Sequence, residues 1–396
     1  MKKLVVLAAA GVSLVCTTSA QAAPFAYVAN VAGGTVSQYS LTAGGLLAPL
    51  VPPAIAEGIG PRGVASSPDG QSVYVTNEVS NSVFQYSVGA GGSLAPKSPP
   101  SVPAGESPYF ITVSPDGSDV YATNTNGGSI SQYTAGAGGE LTPKSPASIA
   151  VAGFPFGVVV SPDGRSLYVA SVGSDTISQY DVGTDGTLTP KAVPVVATGN
   201  SPVGVAISPD GRSVYVDNGG PSTVSQYDVG ADGGLTPKTP PAVPAGGFSQ
   251  IGMAVSPDGR SLYVANAGSD TIAQYDVGAD GTLSPKSPQV VATGDTPTVP
   301  ALSPDAESLY VTNQLEDTVS QYDVGPDGTL AAKSPPTVAT GSVPYGIAVT
   351  PVVRRPVPTS VEQCKRGGWR QFGFANQGRC VAFVVKTKVP AGAPTR

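Results

Sequence analysis

Two short phrases recur along almost the whole chain at a nearly constant spacing. The phrase Gln-Tyr begins at seven positions, separated by 47, 47, 47, 47, 48 and 47 residues: Gln38, Gln85, Gln132, Gln179, Gln226, Gln274 and Gln321. The phrase Ser-Pro-Asp-Gly begins at Ser67, Ser114, Ser161, Ser208 and Ser256, and an altered copy, Ser-Pro-Asp-Ala, begins at Ser303. Self-similarity at a fixed period of this length is the signature of a repeat architecture.

Each copy encodes a series of turns and strands, as the copy that starts at residue 161 shows. In residues 161–164 proline fixes φ at a turn corner, aspartate caps the turn and glycine takes the left-handed position. Residues 167–170 are branched or aromatic, which predicts a strand, and residues 176–182 alternate between apolar and polar, which predicts a half-buried strand. A second turn at residues 184–186 leads into another extended segment. Four short strands per copy predict one propeller blade.

Seven copies predict an all-β fold, a seven-bladed β-propeller of four-stranded blades over residues 24–351. The first copy begins directly with a second-strand phrase at residues 25–30, and its missing inner strand stands at the other end, in residues 344–351. We therefore expect the C-terminal strand to pair with the N-terminal blade and close the ring, which removes open sheet edges. A β-solenoid is the alternative, but its coils are usually shorter than this period.

Two motifs carry a resemblance to known families. Residues 74–77 and 310–313 read Tyr-Val-Thr-Asn, and they resemble the repeats of that name in propellers of bacterial and archaeal surface proteins. Residues 186–191 and 281–286 read Gly-Thr-Leu-(Thr/Ser)-Pro-Lys, which resembles the seven-bladed lactonase family that includes 6-phosphogluconolactonase. The resemblance covers about residues 24–351 and implies the same propeller, with lactone hydrolysis as one activity of the family.

The first 23 residues have the features of a signal peptide. Lys2 and Lys3 precede an apolar run over residues 4–15, and residues 20–22 read Ala-Gln-Ala, a small-x-small cleavage site. We expect export and cleavage, which would leave no transmembrane segment and a secreted, extracellular or cell-surface protein, or a periplasmic one in a cell with two membranes. A retained anchor is the alternative, although the apolar run is short for a membrane span.

Composition excludes several kinds of chemistry. The chain contains no histidine, so Ser–His triads, imidazole metal sites and histidine acid–base catalysis are ruled out. Residues 24–351 hold ten Lys and Arg against 26 Asp and Glu, and such an acidic surface repels nucleic acid. We expect no cofactor, no metal and no nucleic-acid partner, and a monomeric protein.

Six lysines stand one per blade near the predicted start of the fourth strand, at Lys97, Lys144, Lys191, Lys238, Lys286 and Lys333. The fourth strand is the outermost strand of a blade. Charges there would discourage edge pairing between molecules, and we interpret the lysines in this way.

Candidate functional residues lie in loops at one mouth of the channel, opposite the Ser-Pro-Asp-Gly turns. Catalytic candidates are the carboxylates and the arginine of this set: Glu57, Arg62, Glu106 and Asp295. Candidate ligand-binding residues are aromatic or amide side chains that could contact a sugar or another flat ligand: Tyr109, Phe156, Phe248, Gln250 and Tyr345. The single 48-residue interval lengthens the loop that carries Phe248 and Gln250, and we interpret this longer loop as a pointer to a site.

The C-terminal segment, residues 352–396, forms a separate element. It holds nine Lys and Arg against Glu362 alone, and a proline-rich linker leads into it. Cys364 and Cys380 bracket an aromatic stretch, and in an exported protein the pair most simply forms a disulfide. The segment resembles a short cysteine-bracketed segment at the ends of many exported actinobacterial proteins. It could adhere to an anionic wall polymer or surface glycan, or dock on the acidic propeller.

These features predict an exported propeller that serves as a binding or surface-interaction module for a carbohydrate, a lactone or a cell-wall polymer. The alternative is a lactonase-like hydrolase that acts on an unphosphorylated lactone with carboxylates and no histidine. The geometry of the mouth should distinguish them, since an enzyme needs a carboxylate with a second charged group converging on one pocket. A scaffold without a small-molecule site is the third possibility.

Overall fold

The structure is a computed structural model, and it describes residues 24–58, 60–351, 361–365, 377–378 and 381. Residues 23–352 form one compact unit. This unit is a ring of seven four-stranded antiparallel sheets, as the repeat period predicts. We number its strands β1–β28 in chain order and its blades one to seven.

The strands of each blade are given from the innermost to the outermost. Blades one to four are β28 (Pro344–Val349), β1 (Phe25–Asn30), β2 (Thr35–Leu41), β3 (Leu47–Ala56); β4 (Pro61–Ser66), β5 (Ser72–Asn77), β6 (Ser82–Val88), β7 (Leu94–Pro103); β8 (Pro108–Val113), β9 (Asp119–Asn124), β10 (Ser129–Ala135), β11 (Leu141–Ala150); and β12 (Pro155–Val160), β13 (Ser166–Ser171), β14 (Thr176–Val182), β15 (Leu188–Ala197). Blades five to seven are β16 (Pro202–Ile207), β17 (Ser213–Asn218), β18 (Thr223–Val229), β19 (Leu235–Pro244); β20 (Gln250–Val255), β21 (Ser261–Asn266), β22 (Thr271–Val277), β23 (Leu283–Ala292); and β24 (Pro297–Leu302), β25 (Ser308–Asn313), β26 (Thr318–Val324), β27 (Leu330–Ala339).

The predicted closure of the ring is confirmed. Strand β28 pairs antiparallel with β1, with Ile347 opposite Val28 and Val349 opposite Ala26. The first blade therefore combines the last strand of the ring with its first three.

The core lies between neighbouring blades, and the second strands supply much of it. Every residue of each second strand is buried, because both faces of that strand contact an adjacent blade. Valine, leucine and tyrosine suit this position because branched and aromatic side chains pack well on a pleated surface. The core clusters accordingly join residues of two consecutive blades, as Tyr215 of β17 packs with Val264 of β21.

The repeated tyrosine and glutamine side chains also bond one blade to the next. The second-strand tyrosine donates its hydroxyl to a backbone carbonyl of the following blade, as Tyr263 does to Gly328 at 2.7 Å. The glutamine of Gln-Tyr accepts the backbone N–H of the leucine that begins the next blade's fourth strand, and Gln321 does so from Leu47 across the ring closure at 2.7 Å. The recurring phrases thus encode contacts between blades as well as strands.

The tyrosine of Gln-Tyr bonds in the opposite direction, to a carbonyl at the end of the preceding blade's fourth strand. Tyr322, for example, donates to Ala292 at 2.6 Å. Six blades make this bond, through Tyr39, Tyr133, Tyr180, Tyr227, Tyr275 and Tyr322. In the described part of the chain, the hydroxyl of Tyr86 makes no such bond.

The interpretation of the lysines as exposed edge charges is wrong. Lys286 is 7% exposed; its ammonium group pairs with the Asp276 carboxylate and donates to the carbonyl of Asp327 in the next blade at 2.5 Å. The other five lysines make the same carbonyl bond to the next blade. The lysines therefore fasten blades to one another, and a charged group so buried is retained because it is paired.

Outside the propeller, the described residues include a short 3-10 helix, Val361–Cys364. The described residues contain no helix that is long and apolar enough to cross a membrane. The predicted signal peptide, residues 1–23, lies outside the described residues and stays a prediction.

Candidate functional site

The seven innermost strands begin at one mouth of the channel, and most of them begin with a bulge. In β4, Pro61 pairs with Asn77 and Val64 pairs with Val75, which leaves the two residues between them out of the ladder. The backbone N–H of the second of these, Gly63, is satisfied by the Thr76 hydroxyl at 2.8 Å. A bulge re-aims side chains, and it frees the second and third strand residues from regular pairing.

Aromatic residues occupy these positions in three blades that lie close together in the ring. Tyr109 has its ring centroid 4.7 Å from that of Phe156 and 5.2 Å from that of Tyr345, the latter edge-on. Phe110 lies 6.1 Å from Tyr345 and 6.5 Å from Phe156. The four rings form one cluster at the mouth, in which Tyr345 is buried and the other three are half-buried. Tilted and edge-on arrangements at these distances are the favourable ones.

Arg62 of β4 completes the cluster. Its guanidinium carbon lies 4.8 Å from the ring centroid of Tyr109 and 5.3 Å from that of Tyr345, within cation–π range. Its Nε donates to Glu78 Oε2 at 2.6 Å. We call these six residues, Arg62, Glu78, Tyr109, Phe110, Phe156 and Tyr345, the mouth cluster. It places one cation, one carboxylate and an aromatic surface side by side.

The burial of the cluster sets the protonation of its phenols. Burial raises the pKa of Tyr109 above its ordinary value, although the Arg62 charge opposes this rise. Burial raises the pKa of Tyr345 well above its ordinary value. Both hydroxyls are therefore neutral at physiological pH and can donate hydrogen bonds.

The structure brings together four of the nine predicted catalytic and ligand-binding residues: Arg62, Tyr109, Phe156 and Tyr345. The other two predicted ligand-binding residues lie apart from them. Phe248 is 69% exposed and makes no ring contact among the described residues. Gln250 is 1% exposed and donates its side-chain amide to Gly247 O and Asn266 Oδ1, which holds its own loop in place.

The three predicted acidic residues lie in three different surroundings, none of them in the mouth cluster. Glu57 is 5% exposed, its carboxylate oxygens have no hydrogen-bond partner among the described residues, and burial raises its pKa well above the ordinary value. Glu106 is exposed. Asp295 is exposed and accepts a bond from its neighbour Thr296 at 2.8 Å.

Two residues of interest were not among the predicted catalytic and ligand-binding residues. Glu78 follows directly after the second strand, and nothing in its local pattern shows that it pairs with Arg62 sixteen residues earlier. Asp217 stands where several other blades have a threonine, and this substitution within the repeat is the signal that could have found it. Asp217 is fully buried.

A large groove lies on the opposite face of the ring. It has a volume of about 1510 Å³ and is lined by the Ser-Pro-Asp turns of blades five to seven and by the third-to-fourth-strand turns of blades six and seven. Several of its carboxylates are engaged in the scaffold: Asp258 accepts the Ser256 hydroxyl at 2.5 Å, and Asp276 pairs with Lys286. We therefore assign these side chains to turn and blade stability and place the candidate site at the mouth cluster.

Two other predictions concern metal and disulfide sites. Within the part of the chain that the structure describes, no three His, Cys, Asp or Glu side chains are grouped as a metal ion requires. Cys364 is buried, and Cys380 lies outside the described residues, so the predicted disulfide between them stays a prediction.

Comparison with known proteins agrees with the observed architecture. A protein from Bacteroides fragilis, described as a candidate 6-phosphogluconolactonase, superposes with a TM-score of 0.71 at 22% identity, over 84% of this chain and 99% of its own. The periplasmic gluconolactonase of Pseudomonas aeruginosa superposes with a TM-score of 0.69 at 21% identity, over 83% of this chain and 99% of its own. Identities this low show the shared fold alone.

No curated protein matches the chain in sequence. The family model described as "Lactonase, 7-bladed beta-propeller" matches residues 16–153 and 155–344, which is most of the chain. The chain therefore belongs to the lactonase family of seven-bladed β-propellers.

Proposed function

We propose that the protein binds an unphosphorylated carbohydrate or carbohydrate lactone at the mouth cluster. The observation that carries this proposal is the packing of four aromatic rings against a paired arginine and carboxylate at the start of the inner strands. Aromatic faces with a few fixed polar groups are the usual composition of a small-molecule site.

The aromatic rings supply the apolar part of the contact. Tyr109, Phe110 and Phe156 are half-buried, so part of each ring is accessible. The phenol of Tyr109 adds a hydrogen-bond donor beside these surfaces. A sugar ring, which has apolar faces and a polar rim, matches such a surface.

The arginine and carboxylate pair supplies fixed polar groups. Glu78 uses Oε2 for Arg62 Nε, and the remaining guanidinium N–H groups make no hydrogen bond within the described structure. The side chains of Arg62 and Glu78 are 18% and 29% exposed. Donor and acceptor therefore stand next to each other, which suits adjacent hydroxyl groups.

The charge of the cluster argues against a phosphorylated ligand. Arg62 is its one cation, and Glu78 already neutralises it. Phosphate recognition usually relies on several Arg or Lys side chains or on a helix N-terminus. We therefore expect an uncharged ligand, in contrast with the phosphorylated substrate in the name of the Bacteroides protein.

Calorimetric titration of the protein with a panel of neutral sugars, oligosaccharides and aldonolactones tests this proposal. Truncating Phe156 to serine removes one ring of the platform, and we expect about 1–2 kcal/mol less binding free energy, or roughly a 10-fold weaker Kd. The matched control is Phe248→Ser, since Phe248 is exposed and lies outside the cluster. Equal effects of the two variants would refute the mouth cluster as the binding site.

A second candidate function, lactone hydrolysis, is favoured by the position of Glu78. Its carboxylate and the Arg62 guanidinium converge at the edge of the aromatic surface. A carboxylate could activate water while a guanidinium stabilises the developing charge on the lactone oxygen. Membership of the lactonase family agrees with this alternative.

Hydrolysis can be separated from binding by one substitution. Glu78→Gln keeps the shape of the side chain but removes its basicity. If the protein is a hydrolase, pH-stat measurements on D-glucono-1,5-lactone should show turnover above buffer that Glu78→Gln abolishes. Turnover that survives this change would exclude Glu78 as the base, and the absence of turnover with retained binding would leave the binding function.

The proposal also places the protein outside the cytoplasm. Support comes from the signal-like residues 1–23 and from the periplasmic assignment of the Pseudomonas relative in its name. N-terminal sequencing of protein recovered from the culture medium or envelope should show cleavage within residues 20–23. A protein retained with its full N-terminus in the cytosol would contradict this placement.

A further inference from the structure

One position of the second strand fixes the bulge at the start of the neighbouring inner strand. Three blades have a threonine there: Thr76, Thr123 and Thr312. The Thr76 hydroxyl accepts the N–H of Gly63 at 2.8 Å and donates to the carbonyl of Tyr109 in the next blade at 2.7 Å. Because a hydroxyl both accepts and donates, threonine bonds two blades at once.

Blade five has Asp217 at this position, and its carboxyl group makes only half of these bonds. Oδ1 accepts the N–H groups of Gly204 at 2.7 Å and Val203 at 3.3 Å. Oδ2 is buried and has no hydrogen-bond partner among the described residues. Leaving one oxygen of a buried carboxylate unsatisfied is costly, so this atom needs an explanation.

The position of Oδ2 shows what it faces. A Cβ atom placed on Gly204 would lie 2.5 Å from Oδ2 and 3.2 Å from the Cα of Gly252. Oδ2 therefore lies in the seam between β16 and β20. At the threonine positions, the next blade presents the carbonyl of its second inner-strand residue. By its place in the repeat, the corresponding residue of β20 is Ile251.

We propose that Asp217 holds a proton on Oδ2 and donates a hydrogen bond to the Ile251 carbonyl. This bond, which we call the clasp, joins blades five and six as the threonine hydroxyls join other blades. Ionisation of Asp217 breaks it. The protonated carboxyl group has one acceptor oxygen and one O–H donor, which is the pattern of the threonine hydroxyl. An ionised group would place two acceptors face to face in a buried seam.

The surroundings of Asp217 favour the protonated form. Strands β16 and β20 carry no ionisable side chain. On β17 and β18 the polar groups are engaged elsewhere: Tyr215 bonds Gly281, Tyr227 bonds Ala197, and Asp228 pairs with a lysine. The charge of Asp217 makes a minor contribution to the raised pKa of Tyr345, which burial dominates. Burial raises the pKa of Asp217 to about 6.

The clasp would make the channel wall sensitive to pH. The pKa of Asp217 in the folded protein is higher than in the unfolded chain, so the folded state binds the extra proton. The stability that the proton contributes is fully present at low pH and is lost as pH rises toward about 6 and above.

The test compares the unfolding equilibrium of the full chain with those of Asp217→Asn and Asp217→Thr between about pH 4.5 and 8. Neither replacement ionises, and both can donate to the Ile251 carbonyl. We expect the wild-type equilibrium to shift toward unfolding between these limits by about 30-fold relative to either variant, because a pKa of 3.8 in the unfolded chain and of about 6 in the folded protein leaves only part of the full shift above pH 4.5. Parallel profiles for the three proteins would overturn the clasp.

One further variant tests the donated hydrogen bond itself. Asp217→Ala, which has the residue of three other blades, also cannot ionise but cannot donate; it should show the flat profile with lower stability than Asp217→Thr. If Asp217→Ala is as stable as Asp217→Thr, the donated bond is refuted.

Discussion

Replacing Tyr322 with phenylalanine tests whether the repeated tyrosines stabilise the ring through their hydroxyl groups. The Tyr322 hydroxyl donates to the Ala292 carbonyl of the preceding blade at 2.6 Å, and the residue is 2% exposed. The substitution changes no other atom and leaves that carbonyl without this donor. Tyr86 offers a matched control, because it is also 2% exposed and makes no such bond within the described residues.

The expected magnitude follows from the lost hydrogen bond. Removing one partner of a buried pair costs about 1–3 kcal/mol. A propeller unit of residues 23–352 has an unfolding entropy of roughly 0.7 kcal/mol per kelvin at 2.1 cal/mol/K per residue. Tyr322→Phe should therefore lower Tm by about 1.5–4 °C. Tyr86→Phe should change it by less than about 1 °C, because no interblade bond is lost.

Differential scanning calorimetry on both variants and on wild type makes the comparison. Reversibility and a single transition must be checked first, since a multi-bladed ring need not unfold in one step. A Tm loss in Tyr86→Phe equal to that in Tyr322→Phe would refute the reasoning, because it would show that the hydroxyl contributes without its carbonyl partner. An unchanged Tm in Tyr322→Phe would refute it equally.

Three further predictions concern the scaffold. Lys286→Leu introduces the residue that the first blade has at this position. It should lower the free energy of unfolding by about 1–3 kcal/mol in chemical denaturation, because a carbonyl of the next blade loses its donor. A smaller loss would show that the ion pair and the hydrogen bond contribute little. The Ser161 hydroxyl lowers the pKa of Asp163, so this carboxylate contributes stability above the unfolded pKa, and the contribution disappears as pH falls through the folded pKa. Asp163→Asn should therefore lose stability at pH 7 and little at pH 2, and an equal loss at both would contradict the assignment. Gly346→Ala would place a Cβ 2.3 Å from a backbone oxygen of the next inner strand and should lower Tm or prevent folding, whereas Gly44→Ala, with nothing within 4 Å, should fold normally.

The fold follows from the sequence because each repeat encodes its own turns and strands. Residues 161–182 contain a proline-fixed turn and two strands of clear pattern, and the structure has them as predicted. The repeat pattern also placed the six lysines in the fourth strands, but it did not predict that they bond to the next blade. A lysine in an outer strand looks solvent-exposed by pattern, and its carbonyl partner 41 or 42 residues later, as in Lys286 and Asp327, is set by how adjacent blades pack.

The candidate site was predictable only in part, for the same reason. Tyr109, Phe156 and Tyr345 occupy equivalent places in their repeats, so the propeller geometry brings them to one mouth. The loop with the extra residue suggested Phe248 equally well, but insertion length does not show which way a side chain points. Asp217 replaces the threonine of three other repeats, and what its carboxyl group faces depends on the packing of a neighbouring blade.

The sharing of the first blade between both ends of the propeller has a consequence for biosynthesis. Strand β1 is made early, but its partner β28 ends at Val349 and is therefore among the last parts of the ring to leave the ribosome. Until then, the nascent chain holds six blades and a fragment whose inner edge has no partner. We expect a chain that stops before Pro344 to bind chaperones and to be degraded, because the edge of β1 remains open.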